Sequence, residues 1–136
     1  MKLNPYLSFD GNCEAAFKFY EKVLGGKVGG MMTYGESPMA EQTSPDWHGK
    51  VMHVYMTLGD QEIMGADSPP DYFEASQGMS VLISTEDAAE AERVFEQLAE
   101  NGTVKMPIQE TFWADRFGML VDQFGTPWMI NCSKTA

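Results

Sequence analysis

Few residues in this chain have the types and spacing that chemistry requires. In the segment Val51 to Leu58, the positions Met52, Val54, Met56 and Leu58 are wholly apolar, whereas the alternate set contains His53, Tyr55 and Thr57. Successive side chains of a strand point to opposite faces, so one face packs and the other offers polar groups. An imidazole titrates near neutrality, and His53 suits either general acid–base work or a hydrogen-bonded structural role. His48 stands with Asp46 and Trp47 in a polar stretch, and Asp67 closes a later apolar run. A catalytic metal needs about three protein ligands, and these residues form no readable set of that kind. Trp113 and Arg116 could together stack on and clamp a planar anion; they could equally anchor an interface, where both residue types are enriched. Cys13 and Cys132 lie near opposite ends without a paired-cysteine motif, and are read as reduced and structural or incidental.

The elements that must position these groups occur in a repeated order. Tyr6 to Phe9 alternates as a half-buried strand does, and Asp10-Gly11-Asn12 supplies turn and capping chemistry for a helix. From Cys13 the apolar positions Ala16, Phe17, Tyr20, Val23 and Leu24 recur at helical spacing, and Gly25-Gly26 ends the pattern. Lys27 to Tyr34 reads as a strand, Gly35 to Lys50 as a long polar loop of the kind used for lids, and Val51 to Leu58 with Gln61 to Ala66 as a hairpin. After the Pro-rich link Asp67 to Asp71, the order recurs. Met79 to Ser84 predicts a strand, Thr85-Glu86-Asp87 a cap, and Ala88, Ala91, Val94, Phe95 and Leu98 a helix stopped by Asn101-Gly102. Strands at Val104 to Glu110, Phe117 to Asp122 and Pro127 to Cys132 complete the repeat, with Trp128 in the core. The chain thus reads as βαβββ twice, with modules at about 1–67 and 78–136 within one domain spanning 1–136.

Composition narrows the function classes. With 20 acidic against 9 basic residues the formal charge is −11, which repels phosphate backbones and anionic lipid surfaces. No nucleic-acid or membrane partner is therefore expected. No run approaches the roughly 18 apolar residues of a bilayer span, and Met1 to Pro5 lacks a signal-peptide core, so a cytoplasmic location is expected. Phosphate-cradling, dinucleotide-binding, nucleophile-elbow and paired-cysteine zinc motifs are missing. Eleven methionines are many for this length; most fill volume, although those on a concave face could line an apolar cavity.

Two stretches carry a family resemblance. Phe9-Asp10-Gly11-Asn12-Cys13-Glu14-Ala15-Ala16-Phe17-Lys18-Phe19-Tyr20-Glu21-Lys22-Val23-Leu24-Gly25-Gly26 resembles the opening of PhnB-like proteins. Gln109 to Gly118, followed by Asp122-Gln123-Phe124-Gly125-Thr126-Pro127-Trp128-Met129-Ile130-Asn131, resembles their C-terminal signature. PhnB-like proteins belong to the glyoxalase/bleomycin resistance/dioxygenase (vicinal oxygen chelate) superfamily. The resemblance implies an α+β fold of two βαβββ modules forming curved sheets around a cleft, within a homodimer.

Metal-dependent members of that superfamily hold the ion through His, Glu or Gln at four sheet positions. Matching anchors places those positions at or beside Pro5, near Met64, at Met79 and at Met129, where no oxygen or imidazole donor stands. Divalent ions want oxygen and nitrogen donors, and thioethers serve chiefly soft copper, so no metal and no other cofactor is expected. PhnB-like proteins are often labelled demethylubiquinone methyltransferases, yet no segment reads as a nucleotide-like site for S-adenosylmethionine. A phosphonate site would gather several basic side chains, and the chain has nine in all. The candidate ligand-binding set is Tyr6, His53, Tyr55, Met79, Trp113, Arg116 and Met129. The favoured function is binding of a small apolar or aromatic molecule in a metal-free cleft. The alternatives are a metal-dependent lyase, isomerase or dioxygenase, and a dimeric structural or interaction module.

Overall fold

The computed structural model describes residues 1–134. Its elements run β1 (Tyr6–Phe9), α1 (Cys13–Leu24), β2 (Lys27–Thr33), β3 (Val51–Leu58), β4 (Gln61–Asp67), β5 (Val81–Thr85), α2 (Ala88–Leu98), β6 (Thr103–Gln109), β7 (Ala114–Val121) and β8 (Pro127–Ser133). They form two compact units, Met1–Ala75 and Ser76–Ala136. Each unit is a four-stranded mixed sheet with one long helix. The orders are β1-β4-β3-β2 and β5-β8-β7-β6, the first pair in each being parallel and the rest antiparallel. The expected α+β architecture of two similar βαβββ modules is thus present. Among the described residues no helix is long and apolar enough to cross a membrane.

In the first unit the helical period of α1 buries Ala16, Phe17, Tyr20 and Val23 against Leu7, Phe9, Val54 and Met56 of the sheet. Phe17 meets Phe9 and Tyr20 edge-on at 6.0 and 5.7 Å, a geometry that aromatic quadrupoles favour. Gly25 ends the helix in the left-handed region (φ 76°), its N–H donating to the Glu21 carbonyl at 3.1 Å. The start of α1 departs from expectation. Asn12 adopts φ −117° and ψ 23°, outside the extended geometry that aims a cap side chain at the helix, and makes no capping bond. The cap comes instead from Asp67, 1% exposed at the end of β4. Its carboxylate accepts from the Cys13 N–H and the Val51 N–H, both at 2.9 Å, while its carbonyl accepts from the Tyr34 hydroxyl at 2.7 Å. A carboxylate beside the first turn also complements the helix dipole.

The stretch expected as a loop is built. It holds three single 3-10 turns, Tyr34–Glu36, Ala40–Gln42 and Pro45–Trp47. Gly35 N–H donates to the His48 carbonyl at 3.0 Å, and Tyr34 N–H donates to the Lys50 carbonyl at 2.9 Å. His48 Nε2 lies 2.8 Å from the Ala40 carbonyl and 3.0 Å from the Thr43 carbonyl, which requires the proton on that nitrogen. Lys50 Nζ reaches across to the Gly11 carbonyl at 2.9 Å. This strap has an acid-sensitive fastening. Bonds from the Thr33 side chain and N–H hold the Glu36 carboxyl below its ordinary value, and a bond from Ser44 does the same for Asp46. A depressed folded-state value contributes stability that is present above the unfolded value and lost as pH falls through the folded one. Amide exchange across 34–50 is expected to accelerate relative to β3 between about pH 5 and pH 3. An unchanged ratio would refute this assignment.

In the second unit Ala91, Val94, Phe95 and Leu98 of α2 pack on the sheet, whose buried residues include Leu120, Trp128 and Ile130. Asp87 caps α2 as expected, accepting from Ala89 N–H at 2.9 Å and Glu90 N–H at 3.3 Å. Two strand starts differ from the sequence reading by more than one residue. β5 begins at Val81, because pairing with β8 starts at the Val81–Trp128 register and Gly78 turns in the left-handed region (φ 77°) before it. β7 begins at Ala114, where a bulge opposite Ser133 and Cys132 extends the strand toward Trp113.

Candidate functional site

The face of the first sheet opposite α1 gathers the candidate chemistry. The registers Tyr6–Met64 and Met64–Tyr55 place these three side chains in one row across β1, β4 and β3, ending at Gly30 of β2. The next row runs Ser8, Ala66, His53 and Met32, since His53 pairs with Met32 and Ser8 with Ala66. Small Ala66 leaves room for a diagonal contact. The Tyr6 hydroxyl lies 3.4 Å from His53 Nδ1, with ring centroids 5.9 Å apart and planes inclined by 33°. Partial burial, then Cys13 and Tyr34 nearby, push the Tyr6 phenol above its ordinary value, so it stays protonated at neutral pH.

Tyr55 is lowered onto the sheet by two glycines. A side chain at Gly29 would collide with its ring, and a Cβ at Gly30 would lie 3.0 Å from Cε1. The strand bulges between Val28 and Gly30, so both glycines lie under the ring. The result is a shelf of Tyr55, Met64 and Met32 edged by the Tyr6–His53 pair.

The corresponding row of the second sheet is Leu82, Met129, Met119 and Met106, and the next is Ser84, Asn131, Phe117 and Gln109. The same lattice positions therefore carry only apolar and neutral groups in the second unit, and the ionisable ones stand in the first. Met129 sits on this face. Met79 precedes β5 and is 80% exposed, outside the row. Trp113 packs edge-on between Phe112 at 4.8 Å and Phe117 at 5.3 Å. Arg116 belongs to the helix side: it aligns with buried Cys132, and its Nε donates to Glu92 of α2 at 2.6 Å. That bond, with Glu92 and other carboxylates nearby, raises the guanidinium above its ordinary value. The Trp113–Arg116 clamp is not formed, because the arginine is engaged with the helix and the indole with its aromatic neighbours.

Two nearby groups are structural. Asp67 is consumed by backbone donors and His48 by two carbonyls, so they do not assemble with His53. Burial, then Asp67, pushes the Cys13 thiol far above its ordinary value, and burial, then Asp115, raises the Cys132 thiol, so neither is a ready nucleophile. Both are free cysteines. Among the described residues no three His, Cys, Asp or Glu side chains group closely enough to hold a metal ion. The superfamily's divalent ion does not fit this face, where Met64 occupies the centre and His53 is the sole imidazole.

Comparison with known proteins places this arrangement. At the level of fold the chain is like a glyoxylase/bleomycin resistance protein/dioxygenase domain from Frankia sp. (TM-score 0.65, 11% identity, 97% of this chain and 94% of that one). The profile described as 3-demethylubiquinone-9 3-methyltransferase matches residues 1–131, and the chain belongs to that PhnB-like family. Protein YjdN of Escherichia coli K12 is 36% identical over 144 residues, covering 98% of this chain and 97% of the relative. The crystal structure of protein PA1353 from Pseudomonas aeruginosa superposes with a TM-score of 0.91 at 42% identity over 99% of both chains. A Bacillus cereus PhnB protein, described as a putative 3-demethylubiquinone-9 3-methyltransferase, follows at TM-score 0.82 and 28% identity over 98% of this chain and 100% of that one.

Proposed function

We propose that this PhnB-like chain binds a small apolar or aromatic molecule without a metal ion, and that the shelf on the first sheet supplies its principal contacts. The observation that carries this reading is Tyr55 laid across Gly29 and Gly30 beside Met64. A large ring held down on glycine backbone presents π surface at little conformational cost, and a neighbouring thioether adapts to ligand shape. Binding sites of this kind combine apolar walls with a few convergent polar groups, here Tyr6 and His53.

A panel of bicyclic aromatics, naphthalene first, tests this by thermal shift and isothermal titration. At least one member is expected to stabilise the protein, and Tyr55→Ala is expected to weaken its binding about tenfold, or roughly 1.4 kcal/mol, in keeping with an aromatic contact. No stabilisation across the panel, or unaltered binding by a folded Tyr55→Ala protein, would overturn the reading.

The same reading includes a homodimer in the cytoplasm. Phe112 is 89% and Trp113 46% exposed in the described chain, and contiguous exposed aromatics favour the core of an interface. Light scattering at micromolar concentration decides it, a monomer counting against the dimer.

A further inference from the structure

We propose that Tyr6 and His53 form a recognition pair for a carbonyl oxygen, so that the ligand class is a neutral, planar carbonyl compound such as an aryl ketone. This deepens the binding function proposed above and rests on it.

The protonated Tyr6 phenol faces His53 Nδ1 at 3.4 Å. When it donates there, the neutral imidazole carries its own proton on Nε2. No hydrogen bond to that nitrogen is found among the described residues. His53 is half-buried, and an N–H beside the apolar surface of Tyr55 and Met64 gains from an acceptor once a ligand covers it, because desolvating it unpaired is costly. The other polar groups on this face are Ser8 at its exposed edge and the row of Glu62, Thr57 and Lys27 beyond Tyr55. Glu62 and Lys27 stand at opposite ends of that row with opposite charges, and the chain's formal charge of −11 leaves a net repulsion for an anion docked on Tyr55 and Met64. Carboxylates and phosphates are therefore disfavoured. A flat ring over Tyr55 with a neutral acceptor directed at His53 satisfies the shelf and the donor together.

The matched probes are 2-acetonaphthone and 2-ethylnaphthalene, which share ring system and shape and differ by the carbonyl. Calorimetry on the wild-type chain is expected to give about tenfold tighter binding of the ketone, the discrimination of a site with a hydrogen bond to make. In His53→Leu the ratio of ketone to hydrocarbon affinity is expected to fall to about twofold or less, and Tyr6→Phe is expected to reduce it partly. Imidazole nitrogen NMR on the wild-type chain is expected to show the Nε2-protonated tautomer. Equal binding of the two probes would overturn the carbonyl assignment and leave the aromatic shelf standing. Binding of neither would overturn both. A preference that survives His53→Leu, or a proton found on Nδ1, would remove the pair as its source.

Discussion

Asp122→Ala is expected to lower the unfolding free energy by about 4 kcal/mol, a large part of the roughly 5–15 kcal/mol that a domain possesses. Asp122 is 4% exposed in the turn joining β7 and β8. One carboxylate oxygen accepts from Phe124 N–H at 2.8 Å and Thr126 N–H at 3.0 Å, and the other accepts from the Trp128 indole at 2.8 Å. Alanine leaves these donors desolvated without that acceptor, and each loss is worth about 1–3 kcal/mol. Trp128, fully buried, cannot turn its N–H to water without vacating the core. Asp122→Asn should cost about half as much, because its single acceptor can serve the backbone donors while its amide faces the indole donor-to-donor. Urea unfolding followed by tryptophan fluorescence measures both. A cost under about 1 kcal/mol for alanine would show that the turn forms without the carboxylate.

The sequence revealed the polar face of β3 because alternation is a local signal: His53 and Tyr55 stand where their parity puts them, opposite Val54 and Met56. The helix faces were legible for the same reason. The pairing of Tyr6 with His53 was not, since it depends on the parallel β1–β4 register between segments more than fifty residues apart, which alternation cannot specify. The cap by Asp67 is equally long-range. The Gly29–Gly30 pair did carry a signal, because two glycines inside a strand mark a bulge or a close approach. Arg116 escaped parity because the strand was expected to start at Phe117; its true start at Ala114 puts the arginine on the helix side. Local alternation thus locates the sheet faces, and strand register decides which residues on them meet.

That division of labour gives the glycine at position 65 a large effect from a small change. Gly65 lies on β4 between Met64 and Ala66, and its helix-facing side meets Phe17 of α1. A Cβ there would stand 2.7 Å from Phe17 Cε1 and 3.0 Å from the Leu7 carbonyl. With open space above it, alanine would stabilise the strand by about 0.5–1 kcal/mol through reduced backbone entropy. The contact reverses the sign. Phe17 is fully buried among Phe9 and Tyr20 and cannot retreat without moving its neighbours. Gly65→Ala is therefore expected to cost about 2 kcal/mol, and Gly65→Val about 4, in urea unfolding. Phe17→Leu should cost about 1–2 kcal/mol alone and much less in the Gly65→Ala background, where it relieves the crowding. Simple additivity would mean that β4 yields instead of the ring. In that case Met64 and Ala66, carried on the same strand, would shift beneath the Tyr6–His53 pair, and ligand affinity would fall where stability alone would not explain it.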